Sequence, residues 1–255
     1  MNLKDFFLEN HSAVLGFSGG VDSVYLMYAA HQCGAEVIPC FVKTQFQPRF
    51  ELEDAENAAA QIGVPLWIIE YDILKIREIC ENSSMRCYHC KSKILTLLLK
   101  IAEKENIPLV IDGTNASDKA EERPGMTALQ ELGIRSPLKE CGITKEEIRS
   151  LSKKAGLFTF NKPSYSCLAT RIMTGEQITA QELKRIENAE NTLFNMGFSD
   201  FRVRVWHGAA RLQFSVSDEE TAFAKRAEII KKLNPYFSDI LFDLKGRGNY
   251  AEGTT

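Results

Sequence analysis

The chain has 255 residues, of which 44% are hydrophobic and 25% charged, with a formal net charge of −3. These proportions are ordinary for a globular protein and allow one large domain, or a main domain with a smaller one. A slightly acidic balance supplies no global positive field, so a nucleic-acid partner is not expected unless a local basic face exists.

The opening residues, M-N-L-K-D-F-F-L-E-N-H, carry Asp5 and Glu9 and lack the long apolar core of a signal peptide. No apolar run approaches the ~18 residues of a membrane span. A cytoplasmic protein without a membrane partner is therefore expected. Seven cysteines, an odd number unevenly spread, argue against a disulfide framework and turn attention to metal, cluster or redox chemistry.

Residues 3–11 read as a short amphipathic helix. The apolar run Ala13 to Phe17 predicts a buried strand that stops at Ser18. After Gly19 and Gly20, Asp22 to Gln32 predicts a helix closed by Gly34. A second strand is predicted over Ala35 to Val42, a helix over Glu51 to Ile62 ending at Gly63, and a third strand over Pro65 to Tyr71. Strands alternating with helices imply parallel pairing, because each crossover needs a helix's length. Pro108 to Asp112 predicts the next strand, running into Gly113-Thr114-Asn115. Ligands of open parallel sheets gather at such strand ends.

Thr144 and Glu147 form a capping-box pattern for a helix reaching Ala155. Phe158 to Thr174 reads as a loop, and Thr179 starts a helix running to about Met196. Phe201 to Val205 and Ala210 to Val216 alternate as strands around a His207-Gly208 turn. A helix over Asp218 to Leu233 and a strand over Ile240 to Leu244 follow. The predicted class is α/β: a parallel-sheet nucleotide-binding domain over residues 1–175, then a small α+β domain over 176–255.

Four stretches carry chemistry. In Ser18-Gly19-Gly20-Val21-Asp22-Ser23, glycines let backbone approach a ligand, and a helix N-terminus then presents N–H groups to an anion. The spacing is neither that of a Walker loop nor of a dinucleotide fold. S-G-G-x-D-S is instead the PP-loop signature of enzymes that split ATP between its α and β phosphates. A Gly-Gly turn in an unrelated α/β protein is the bland alternative. Arg86-Cys87-Tyr88-His89-Cys90-Lys91 brings two sulfurs within reach of one metal or of each other, with no second Cys-x-x-Cys to complete a zinc site. In Lys162-Pro163-Ser164-Tyr165-Ser166-Cys167-Leu168-Ala169-Thr170-Arg171, a cysteine sits in a polar loop between two cations, unlike Cys40 inside an apolar strand. Asp112-Gly113-Thr114-Asn115 with Asp118, followed by Glu121, Glu122 and Arg123, offers carboxylates for Mg²⁺ or a solvated acidic loop.

Taken in order, S-G-G-V-D-S, R-C-Y-H-C-K, D-G-T-N-x-x-D, R-P-G-x-x-A-L-x-E-L-G-I-R-S-P-L, K-E-E-I-R, K-P-x-x-x-C-L-A-T-R and the late R-V-R and A-R-L segments resemble the LarE family over nearly the whole chain. Its members are ATP-dependent sulfur transferases of the PP-loop superfamily that help make the nickel-pincer nucleotide cofactor. The resemblance implies adenylation of a carboxylate of pyridinium-3,5-biscarboxylic acid mononucleotide, a small-molecule nucleotide substrate, followed by sulfur delivery and assembly as a homo-oligomer. It places ATP on Ser18, Gly19, Gly20, Val21, Asp22, Ser23, Asp112, Gly113, Thr114, Asn115, Arg123 and Arg171, and Mg²⁺ on Asp22 and Asp118. It gives catalytic roles to Asp22, Cys87, Cys90 and Cys167.

One form of the family sacrifices the sulfur of the cysteine matching Cys167, and the other holds a [4Fe–4S] cluster on three cysteines. With Cys87, Cys90 and Cys167 all at motif positions, the cluster form is favoured. Thr170 stands where serine is commoner, and Met173-Thr174-Gly175 replaces Pro-Tyr-Gly. Arg202, Arg204 and Arg211 can serve as a phosphate site or as a solvated strand face. A PP-loop tRNA thiolase and a non-enzymatic metal- or cluster-binding protein are the competing readings.

Overall fold

The computed structural model describes residues 2–118 and 124–247 and divides into two compact units. The first takes the chain up to Ile79 and again Met85–Ser164; the second takes Cys80–Ser84 and the chain from Tyr165 onward.

The first unit contains α1 (Leu3–Glu9), β1 (Ser12–Gly16), α2 (Val21–Gln32), β2 (Glu36–Lys43), α3 (Arg49–Ile62) and β3 (Trp67–Glu70). A short α4 (Arg77–Cys80) ends its first stretch. Then come α5 (Arg86–Lys104), β4 (Val110–Ile111), α6 (Pro124–Glu131), α7 (Pro137–Glu140) and α8 (Lys145–Lys154). The four strands are all parallel, in the order β3-β2-β1-β4. Alternate residues of each strand supply opposite cores, as a period of two requires. Ala13, Leu15, Val37 and Phe41 join Phe6, Leu26 and Ala58 on one face. Val14, Cys40 and Val42 join Leu95, Leu98 and Leu129 on the other.

The strand order positions the site. The chain winds outward from β1 to β2 and β3, then returns to place β4 on the opposite side of β1. That reversal is a topological switch point, where the loops after neighbouring strands diverge and leave a crevice. Register pairs Leu15 with Ile111, so Phe17-Ser18 and Asp112-Gly113 leave the sheet side by side.

The second unit contains α9 (Ala180–Asn195), β5 (Phe201–Trp206), β6 (Ala209–Phe214), α10 (Val216–Ala224), α11 (Arg226–Leu233) and β7 (Ile240–Phe242). β5 and β6 form the expected antiparallel hairpin around His207 and Gly208, both at positive φ, and β7 adds parallel to β6. Phe198, Phe201 and Phe214 pack against one another beneath it. Two expectations change in detail. The helix expected over Asp218 to Leu233 is broken at Lys225, whose ammonium reaches the Met196 carbonyl at 3.5 Å and lies 5.7 Å from the Phe198 ring centre. Neither glycine nor proline marks that break; the tie is tertiary. The loop expected over Phe158 to Thr174 contains two 3₁₀ turns, Phe158–Asn161 and Leu168–Arg171.

Candidate active site

The loop after β1 is a cradle built by close backbone approach. Gly19 adopts φ +69, and a Cβ there would lie 2.9 Å from both N and Cα of Ala55 on α3. Only glycine fits both demands. Gly113 brings the loop after β4 equally near: its Cβ would stand 3.0 Å from the Ser23 backbone nitrogen. Gly20 is the extended N-cap of α2, and no side chain caps that helix. The contrast is with α8, where Thr144 and Glu147 form the full capping box. An uncapped N-terminus beside a glycine turn leaves first-turn amides and the helix dipole for an anion. Ser23 is 3% exposed and works inward: its hydroxyl donates to the Gly20 carbonyl at 3.2 Å and accepts from the Ser18 amide at 3.3 Å. Ser18 is exposed, and Val21 is buried in the core at the helix start.

Asp112, 8% exposed, is heavily engaged at the end of β4. It accepts from the Thr114 hydroxyl at 2.6 Å, the Thr114 amide at 3.1 Å and the Ser136 hydroxyl at 2.6 Å. Lys91 Nζ also reaches it at 3.4 Å. Asn115 links the two carboxylates proposed for Mg²⁺: its side-chain amide donates to Asp22 at 3.4 Å, and its backbone N–H donates to Asp118 at 3.1 Å. Asp22 also holds Lys145 Nζ at 2.5 Å. Among the described residues, no group of three or more His, Cys, Asp and Glu side chains is placed to hold a metal ion. Arg123, with Glu121 and Glu122, lies outside the described residues.

Cys87 and Cys90 occupy the first turn of α5, three residues apart and so on one helical face. Cys87 is exposed and Cys90 half-buried, and no disulfide joins cysteines among the described residues. Arg86 donates toward the Cys87 sulfur at 3.5 Å. A Cβ on Gly125 would lie 3.3 Å from Lys91 Cδ and 3.7 Å from the Cys87 carbonyl oxygen, so α6 packs directly on this turn. Tyr88 donates to Glu131 of α6 at 2.6 Å. Through Lys91 and Asp112, the Cys-x-x-Cys turn is tied to the switch-point edge.

In the second unit, Cys167 is half-buried and caps the 3₁₀ turn Leu168–Arg171. Arg171 is almost fully buried and spends its guanidinium on protein groups. It donates to Glu190 at 2.8 Å, to the Ser166 carbonyl at 3.0 Å and hydroxyl at 2.8 Å, and to the Thr170 hydroxyl at 2.8 Å. Tyr165 donates its hydroxyl to Glu190, and its ring lies 4.6 Å from the Arg171 guanidinium carbon and 4.8 Å from that of Arg202. Burial first, then the charges of Arg171 and Arg247, push Arg202 down to about 10. Arg204 is lowered in the same way, by burial and then by Arg171 and Arg211. Arg204 donates to the Thr170 carbonyl at 2.7 Å, and Arg211 pairs with Asp243 at 2.6 Å. Arg171, Arg202, Arg204, Arg211 and Arg247 thus lie among Glu190, Asp200 and Asp243, with Arg171 and Arg202 buried.

Sequence reasoning gave Lys91 only the task of favouring thiolate at the neighbouring cysteines and Lys162 only that of a cation flanking Cys167, and attached no role to Lys145 or Arg149. Lys162 Nζ stands 3.5 Å from the Gly19 carbonyl and 2.6 Å from Asp54. Arg149 holds the backbone there, donating to the carbonyls of Phe160 at 2.7 Å and Lys162 at 2.8 Å. The only available signal was that Lys145, Arg149 and Lys162 all lie inside recurring motif segments.

No protein-family model matches the chain. An uncharacterized protein of Synechocystis sp. is 36% identical over 214 residues, covering 83% of this chain and 80% of that protein. An uncharacterized protein of Methanocaldococcus jannaschii is 32% identical over 245 residues, covering 96% and 93%. The pyridinium-3,5-bisthiocarboxylic acid mononucleotide synthase of Lactiplantibacillus plantarum is 28% identical over 201 residues, covering 78% and 73%. More distant matches, at 22 to 25% identity, are two probable tRNA sulfurtransferases and a tRNA-specific 2-thiouridylase.

Proposed function

The chain belongs to the LarE family of PP-loop proteins, and from that premise we propose that it transfers sulfur to a carboxylate that it first adenylates with ATP. The substrate proposed is pyridinium-3,5-biscarboxylic acid mononucleotide, and the product a thiocarboxylate. One observation carries this reading: the PP-loop, the Asp112–Asn115 turn and the Cys-x-x-Cys turn converge at one sheet edge, with Lys91 bridging to Asp112 at 3.4 Å.

A carboxylate is a poor electrophile because its oxygen is a poor leaving group. In the first step a carboxylate oxygen attacks the α-phosphorus, the bond to the bridging oxygen breaks, and pyrophosphate leaves with that electron pair. The amides of the Ser18–Ser23 loop and the uncapped start of α2 meet the charge that develops. Asp22 and Asp118, joined through Asn115, are the carboxylates that would hold Mg²⁺, which offsets phosphate charge when bound. In the second step sulfur adds to the acyl carbon and AMP departs. Arg202 and Arg204 are proposed to hold the substrate's phosphate.

Cys87 and Cys90 fit two ligand positions of a [4Fe–4S] cluster, being accessible thiols on one face of one helical turn. Cys167 would be the third ligand. A cluster with one iron left open supplies a place for an extra sulfide. In the alternative route, Cys167 Sγ itself attacks the acyl carbon. Loss of the Cα proton with cleavage of Cβ–Sγ then leaves dehydroalanine and the thiocarboxylate. The reading includes assembly as a homo-oligomer.

Anaerobically purified protein, given ATP, Mg²⁺ and the pyridinium substrate, is expected to release AMP and pyrophosphate together and to exchange oxygen for sulfur in the product. Iron that is lost in Cys87→Ser and Cys90→Ser supports the cluster. Loss of the elements of H₂S from Cys167 supports sacrifice. The distant matches favour one second reading, thiolation of tRNA. Pyrophosphate release with tRNA, and none with the pyridinium substrate, would select it.

A further inference from the structure

We propose that Asp54 drives pyrophosphate out of the PP-loop by reclaiming Lys162, an inference that rests on the ATP-cleavage reading above. The Ser18–Ser23 loop contains no lysine of its own. Two cations are delivered to it by the fold: Lys145, on the Asp22 carboxylate, and Lys162, with Nζ 3.5 Å from the Gly19 carbonyl. The Lys162 backbone is pinned by Arg149 at 2.8 Å, so only the flexible stem beyond Cα is left to move.

Asp54 is equally well placed. It directly precedes Ala55, whose N and Cα lie within 2.9 Å of the position a Gly19 Cβ would take. α3 therefore seats the Asp54 carboxylate against the wall of the cradle, where its Oδ2 lies 2.6 Å from Lys162 Nζ. Both side chains are largely withdrawn from solvent, at 17% exposure for Lys162 and 27% for Asp54. A carboxylate beside a phosphate site repels the ligand, so for binding alone it is the wrong charge. It is the right charge for release. Holding product as tightly as substrate does not raise turnover, and product departure limits many enzymes.

Without ligand, Lys162 and Asp54 neutralise each other. ATP draws the ammonium onto its outer phosphates and leaves Asp54 uncompensated. Once the bond to the α-phosphorus breaks, the pair re-forms and pyrophosphate loses its lysine. Asp54 is thus a positioning residue acting through Lys162. The balance is between two charge-assisted contacts of similar strength, each large enough to move an affinity by about tenfold.

Titration calorimetry of the full chain with magnesium pyrophosphate, with AMP and with a non-hydrolysable ATP analogue tests this without turnover. Asp54→Asn is expected to tighten pyrophosphate binding about tenfold, and Lys162→Met to weaken it by a similar factor. AMP affinity should stay within about twofold in both, since the proposal sets both groups against the outer phosphates, which AMP lacks. Lys162→Arg keeps the charge and is expected to retain pyrophosphate binding, which separates charge from folding. If the wild type binds pyrophosphate and the analogue while Asp54→Asn binds pyrophosphate no more tightly, the inference alone is overturned. If the wild type binds neither ligand, the inference falls together with the ATP-cleavage reading.

Discussion

Gly113 and Ser23 approach so closely that a Cβ on Gly113 would stand 3.0 Å from the Ser23 backbone nitrogen and 3.2 Å from its Cα. The end of β4 is thus pressed against the first turn of α2, and the crevice at the switch point is made of backbone on both sides. Both neighbours are main chain, so they yield only by moving the loop. Gly113→Ala is expected to cost about 1–3 kcal/mol as an overpacking change. It should also raise KM for ATP, because the amides of α2 are displaced. Denaturant unfolding and ATP kinetics check this. Wild-type values in both would show that the close approach is unnecessary.

The nucleotide half of the site was legible because its signals are local. An apolar run stopping at Ser18, two glycines and a helix pattern sit within a dozen residues, and they appear as β1, the cradle and α2. The capping box at Thr144 and the N-cap at Thr179 likewise announced α8 and α9. The cations around the cradle were not legible. Lys91 meets Asp112 across 21 positions, Lys145 meets Asp22 across 123, and Lys162 meets Gly19 across 143. No periodicity or turn chemistry encodes such pairings; only the strand order brings them together. Arg171, which the family resemblance places at the nucleotide, ties down the loop that carries Cys167 through contacts that no local pattern announced.

Asp22 is held by Lys145 Nζ at 2.5 Å, with both side chains about a quarter exposed. A metal ion taking Asp22 as a ligand must first displace that ammonium. Partly exposed pairs contribute only up to about 1 kcal/mol, so the competition is worth no more than about fivefold. Lys145→Met is therefore expected to lower the Mg²⁺ concentration needed for half-maximal pyrophosphate release, by up to about fivefold. A rise in that concentration would mean that Lys145 assists the metal site instead of competing with it.

The cysteines differ in environment, and pH should expose the difference. Burial pushes the Cys40 thiol up to about 12, while Cys87 is exposed on the first turn of α5. In native protein at pH 8.5, iodoacetamide should label Cys87 and spare Cys40, read by peptide mass spectrometry. The same shift has a sign for stability. Because the folded thiol holds its proton above the unfolded value near ~8.5, Cys40 contributes fully below that pH. The contribution is lost as pH rises from there toward about 12. Early Cys40 labelling would show that the face of the sheet it shares with Leu95 and Leu98 opens in the native state.

Arg171 and Glu190 form an ion pair with 0% and 2% of their side chains exposed. Glu190 also accepts from the Val203 amide at 3.0 Å, so one carboxylate ties the turn after Cys167 to β5. Removing one member of such a pair strands the other as a buried charge, a loss of about 3–5 kcal/mol. Glu190→Gln and Arg171→Met are each expected to lose stability on that scale in denaturant unfolding, and the double substitution less than their sum. Tyr165→Phe removes a single donor to Glu190 and should cost about 1–2 kcal/mol. The local effect should be larger than the global one. With Ser166, Thr170 and the Cys167 carbonyl all within reach of Arg171, the loop loses its anchor even where the unit stays folded. Hydrogen exchange over residues 165–171 should therefore quicken in Arg171→Met at temperatures where the rest of the second unit remains protected. Uniform protection across that loop and α9 would show that the ion pair stabilises the unit without specifically holding the cysteine.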